Sequence, residues 1–154
     1  MSQRTEAAFT LIELIITIVI LTILAVAIRA IWPTESITLN AQAQALVADI
    51  QYTQNLSETR GIRYYLKKTS SVTYTMSDVN GGNLTTHTLG SGMTFGTLTN
   101  LPNALVAFDG QGVPYSNITI PGTALTANAT IILNASNGNS KTVTITHTTG
   151  QVSA

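Results

Sequence analysis

Between Phe9 and Ile31 the chain runs for 23 residues with only two charges, Glu13 and Arg29. No other segment constrains the fold as strongly. As an α-helix rising about 1.5 Å per residue it would be roughly 34 Å long, enough to cross a hydrocarbon layer of about 30 Å. Leu, Ile and Val fill most positions. After Thr10 the only uncharged polar residues are Thr17 and Thr22, whose hydroxyls a helix can satisfy on carbonyls one turn back. The spacing predicts a membrane-spanning helix over 9–32.

Ahead of it, residues 1–8 (MSQRTEAA) are polar and carry Arg4, and two processing schemes fit that arrangement. One removes the apolar stretch, with Arg4 in the basic region of a signal peptide and Ala25-Val26-Ala27 as a small-x-small cleavage site. The other cuts ahead of the stretch and keeps it. Glu13 favours the second, because a carboxylate deep in a bilayer costs roughly 2.5–3.5 kcal/mol and so marks function by default.

The run Phe9-Thr10-Leu11-Ile12-Glu13, followed by about twenty apolar residues, resembles the processing motif of type IV pilins and pseudopilins. That resemblance implies cleavage between Ala8 and Phe9 and methylation of the new amine. It also implies that Glu13, fifth in the mature chain, partners an N-terminal amine as the subunit docks into a filament. Burial of the carboxylate is tolerable when an ammonium and hydrogen bonds compensate it. Two positions depart from the family pattern. Ala8 stands where the family usually has Gly, and Ala30 stands where a proline is common. Pro33 can supply a kink or end the span.

Residues 34–60 read as a second helix. Leu39, Ala43, Leu46, Val47 and Ile50 recur at three-to-four spacing, Ala41, Ala45, Tyr52 and Leu56 widen the stripe, and Gln42, Gln44, Asp49, Gln51 and Asn55 lie mostly off it. Arg60-Gly61 ends it, with a cation at the negative end of the helix and a glycine for a left-handed cap. Beyond Gly61 the period becomes two. Ile62–Leu66 and Val72–Met76 form a hairpin turning at Thr69-Ser70-Ser71, Asn80-Gly81-Gly82-Asn83 is a turn, and Met93–Leu98 and Ala104–Phe108 are short strands. Ile131–Asn134 and Val143–Thr146, joined through Asn137-Gly138-Asn139-Ser140, close the chain as a hairpin. Segments 77–103 and 110–128 hold the candidate exposed loops.

This order of pieces is similar to the GspH/FimT type of minor pilin. The carrying features are Glu58-Thr59-Arg60-Gly61 leading straight into a strand, Phe108-Asp109-Gly110-Gln111-Gly112, and a Thr-rich strand followed by Gly150-Gln151-Val152. The implied fold is α+β, a long N-terminal helix packed on a small antiparallel β-rich head. The organisation is a leader over 1–8, a transmembrane and filament-core helix over 9–32, and a periplasmic head over 33–154 (helix 34–60, then β-rich 62–154). The implied role is that of a structural subunit of a type IV pilus or type II secretion pseudopilus, assisting filament initiation or assembly. Its partners would be other major and minor pilins, prepilin peptidase and the assembly platform, and its place the bacterial inner membrane with the head in the periplasm. Major type IVa pilins usually close their C-terminal region with a disulfide; this chain has no Cys, which fits a minor subunit better.

Composition narrows the chemistry. With no Cys there is no thiolate catalysis or Cys-based metal site. His87 and His147 stand singly in Thr-rich stretches and read as sheet-surface residues. Asp78 and Asp109 fall in turns, where their side chains bond local backbone. There is no nucleophile elbow and no phosphate-binding glycine loop, so we expect no enzyme, no cofactor and no metal.

Two other functions compete. FimT-like minor pilins are associated with DNA uptake through a Gly-Arg-x-Arg tail, but here the tail reads Gly150-Gln151-Val152-Ser153-Ala154. The remaining basic cluster is Arg60, Arg63, Lys67 and Lys68, a weak DNA or anion patch at best. From residue 34 onward five basic residues balance five acidic ones, and the whole chain has zero net charge. The second alternative is a secreted or anchored β-domain such as an adhesin.

Overall fold

The computed structural model describes residues 10–31 and 34–154. They fall into two compact units, one ending at Thr34 and the other comprising Glu35–Ala154. Helix α1 (Leu11–Ile31) belongs to the first, and α2 (Thr34–Arg60) lies almost wholly in the second.

One face of α2 is apolar at intervals of three and four. Ala43, Leu46 and Ile50 are fully buried, with Leu39 and Val47 close behind. The buried stripe then continues not with the expected Tyr52 but with Thr53 and Ser57, which follow Ile50 at the helical interval. Ala41, Ala45 and Tyr52 are exposed, so the stripe is narrower than the sequence suggested. Thr53 and Ser57 satisfy their hydroxyls on the carbonyls of Asp49 (2.7 Å) and Thr53 (3.1 Å). At the C-terminus the Gly61 N–H donates to the Ser57 carbonyl at 2.9 Å, and Gly61 has φ +65°. This is the left-handed cap that Arg60-Gly61 promised. Ser57 also accepts from the Tyr64 N–H at 3.0 Å, which ties the helix exit to the first strand.

The strands are β1 (Tyr64–Lys68), β2 (Thr73–Asp78), β3 (Asn83–Thr88), β4 (Met93–Thr99), β5 (Leu105–Phe108), β6 (Pro114–Tyr115), β7 (Ala129–Ala135), β8 (Ser140–Ile145) and β9 (Val152–Ser153). They form two sheets, ordered β3-β2-β1-β5-β6 and β4-β7-β8-β9, and every pairing is antiparallel. Leu66 lies opposite Met76 on one side and Val106 on the other, and Ile131 opposite Val143. Alternate residues of β7 (Ala129, Ile131, Leu133, Ala135) point inward and join Leu46, Ile50, Phe95, Phe108 and Ile145 in one core. Burying side chains of this size stabilises by about 1.5–3 kcal/mol each. This is the α+β architecture expected from the sequence, a helix packed on antiparallel sheets.

The sequence reading missed β3, which occupies part of a segment expected to be loop. Its sequence, NLTTHT, has a single large apolar residue, Leu84, so no apolar period marks it. The turn before it makes the strand. The Asp78 carboxylate accepts from the N–H groups of Asn80 and Gly82 at 2.8 and 2.9 Å, and Gly81 takes φ +86°. That geometry returns the chain alongside β2 at the sheet edge, where Thr is well suited.

Candidate functional site

The N-terminus of α1 is built by Thr10 and Glu13. Thr10 lies just outside the helix, and its hydroxyl accepts from the Glu13 N–H at 3.3 Å, while its carbonyl accepts from Glu13 and Leu14 at 3.1 and 3.2 Å. Thr-x-x-Glu at a helix start is the sequence of a capping box, and a carboxylate in the first turn complements the helix dipole. Thr17 and Thr22 donate to the carbonyls of Leu14 and Val19, both at 2.8 Å. The two threonine hydroxyls inside the apolar run are therefore satisfied within the helix.

Its surface is different. Every Leu, Ile and Val between Leu11 and Leu24 is 50–77% exposed, on all sides of the helix. Among the described residues Glu13 belongs to no ion pair, since the only one there joins His87 and Asp49. Ala8 and Phe9, the expected processing pair, lie outside the described residues, as does Pro33. Among the described residues no helix is both long and apolar enough to cross a membrane; in α1 the described side chains end at Ala25, so the expected 9–32 span falls partly outside them.

The four cations of the weak basic patch do not share one face. Arg60 is exposed at the end of α2. Arg63 is only 5% exposed and turns inward. Lys67 and Lys68 follow one another on β1 and so point to opposite faces; Lys67 is exposed, and the Lys68 ammonium stands 5.8 Å over the Phe95 ring.

His87 has a carboxylate partner after all. Its Nδ1 is 3.3 Å from Asp49 Oδ2, and the Tyr74 hydroxyl donates to that same oxygen at 2.6 Å. Tyr74 stacks on His87 with ring centroids 5.4 Å apart and meets Phe95 edge-on at 5.9 Å. Burial, then the hydrogen bond to Asp49 and its charge, push the Tyr74 phenol well above its ordinary pKa. The cluster pins α2 to β2 and β3. Asp49 lies 25 residues before Tyr74 and 38 before His87, so nothing local in the sequence announces it. His147 bonds Asn128 at 2.9 Å. Among the described residues no group of His, Asp and Glu is placed to hold a metal.

The two glycine-bearing segments singled out in the sequence meet at one point of α2. Gln54 Nε2 donates to the carbonyls of Gly112 and Thr149, both at 3.0 Å. A Cβ on Gly150 would lie 2.6 Å from the Gly112 carbonyl oxygen and from Gln54 Nε2. The Asp109 carboxylate accepts from the Gln111 and Val113 N–H groups, both at 2.9 Å, and shapes the turn that brings Gly112 there.

Comparison with known proteins agrees with this description. Residues 3–28 match the family model described as the prokaryotic N-terminal methylation motif. The fold is that of the type IV minor pilin FimU of Pseudomonas aeruginosa strain PAO1. One crystal form aligns with TM-score 0.58 at 13% identity over 75% of this chain and 86% of that one. A second aligns at 0.56 and 15%, over 75% and 90%. No curated protein matches the sequence. The chain is thus type IV pilin-like, carrying the N-terminal methylation motif of those proteins and the fold of a minor pilin.

Proposed function

We propose that this protein is a structural minor subunit of a type IV pilus or type II secretion pseudopilus, acting in filament initiation or assembly rather than in catalysis. One observation carries this reading. A helix whose described Leu, Ile and Val side chains are exposed on every side begins with a single carboxylate at Glu13, inside a methylation motif. Such a helix needs lipid or other protein around it. In this reading residues 9–32 hold the subunit in the inner membrane with its head in the periplasm. Prepilin peptidase cuts between Ala8 and Phe9, and the helix then passes into the filament core among the helices of major and minor pilins. Exchanging an apolar bilayer for apolar helices need not be uphill, and the assembly platform would supply direction.

Glu13 then does two jobs in sequence. It caps the dipole of its own helix, and during docking it meets the N-terminal amine of a subunit already in place. Breaking a buried charge pair by removing one partner costs about 3–5 kcal/mol. Glu13→Gln should therefore insert into the membrane normally but fall by about a hundredfold or more in purified filaments, read by immunoblot of sheared fibres against membrane fractions. Undiminished incorporation of the variant would contradict the assignment.

A further inference from the structure

Four loops of the head close on a cleft of about 240 Å³, smaller than the roughly 300–1,000 Å³ of drug-sized sites. Its walls are Gly61 and Ile62 after α2, Val79 and Asn80 in the β2–β3 turn, Asp109 and Gly110 in the β5–β6 turn, and Ile120 from the loop after β6. Arg63 lines it too and is 5% exposed. The guanidinium carbon stands 4.0 Å over the Tyr115 ring, and Nη1 donates to the Thr119 carbonyl. Nε is buried and has no hydrogen-bond partner. The only ion pair among the described residues is elsewhere, between His87 and Asp49, so no described carboxylate stands within ion-pair reach of Arg63. Asp109, in the same wall, is already engaged: it accepts from the backbone N–H groups of Gln111 and Val113.

A nearly buried guanidinium with an unpartnered donor and no carboxylate paired directly with it is an arrangement proteins rarely leave unfilled. Its planar fork matches a carboxylate. Ile62, Val79 and the 71% exposed Ile120 add apolar surface for a short aliphatic stem. A phosphate would bring more negative charge against Asp109 and gain nothing from those side chains. We propose that this cleft is a carboxylate-binding site, in which the carboxylate of a short aliphatic acid seats on Arg63 and its stem lies against Ile62, Val79 and Ile120. The carboxylate is either a free small acid or the acidic side chain of a neighbouring protein. The site stands independently of the filament reading.

The test is an NMR titration of the full chain in non-ionic micelles at constant ionic strength. The probes are propionate and N-acetyl-glutamate amide, each against its neutral counterpart, propionamide or N-acetyl-glutamine amide. Saturable shifts at Gly61, Asn80, Gly110 and Ile120 with the acids alone are expected. They should be lost in Arg63→Gln and weakened by about tenfold in Ile120→Asp, which places a competing charge at the mouth while leaving Arg63 intact. Tighter binding of the blocked glutamate would identify a protein side chain as the source, and tighter binding of propionate a free acid. Equal shifts from the amides, shifts that survive in Arg63→Gln, or no saturable shift would each overturn the site. Should Arg63→Gln fail to fold, an unweakened Ile120→Asp would overturn it as well.

Discussion

Tyr74 shows how much one side chain can join. Its ring fills the space between His87 and Phe95, and its hydroxyl binds Asp49 on α2. A hydrogen bond to a charged acceptor is worth about 1.5–3 kcal/mol, so Tyr74→Phe should lower the unfolding free energy by about 1.5 kcal/mol in chemical denaturation. The same contact sets a pH dependence. The phenol's pKa in the folded chain is raised above its unfolded value near 10, so its neutral form is the one the fold stabilises. That contribution is complete below pH 10 and is lost as pH climbs through and beyond it. Tyr74→Phe should flatten the decline in stability above pH 10; an unchanged alkaline profile would contradict the account. At this scale the sequence was unevenly legible. Glu13 stood out because a charge in an apolar run is costly wherever it sits. The partner of His87 did not, because its carboxylate arrives on another element, and the inward turn of Arg63 depends on Tyr115 and the loop that follows it.

At the scale of elements, legibility followed the apolar period. Helix α2, its glycine cap, the β1–β2 pair and the β7–β8 hairpin were all readable, since each buries one regular face. Strand β3 was not, being Thr-rich and held by a turn and a neighbour rather than by burial. The short strands β6 and β9, two residues each, carry no period at all. What brings the late segments onto α2 is close packing at glycine. Gly150 has φ +70°, and an added Cβ would meet the Gly112 carbonyl oxygen at 2.6 Å. Backbone on backbone cannot yield as a flexible side chain can. Gly150→Ala should therefore destabilise the head by about 2 kcal/mol or more, from the left-handed conformation and the clash together. A thermal melt unchanged by this substitution would show that the two loops do not pack as described.

For the molecule as a whole, the two units have opposite relations to their surroundings. The head buries its own core, with Leu46, Ile50, Phe108 and Leu133 at or near zero exposure. The first unit carries a helix whose Leu, Ile and Val side chains from Leu11 to Leu24 are exposed, and under the proposed function that surface is met first by lipid and then by other helices of the same kind. That division follows from charge placement along the chain, which is why it is legible in the sequence, while the cleft around Arg63 required the folded head.

The most direct measurement is the intact mass and N-terminal sequence of the protein made with and without a prepilin peptidase. The account predicts a mature chain that begins at a methylated Phe9 and appears only with the peptidase, keeping residues 9–32 and Glu13 near the new terminus. Cleavage after Ala27, independent of the peptidase, would remove the apolar helix and contradict the filament role.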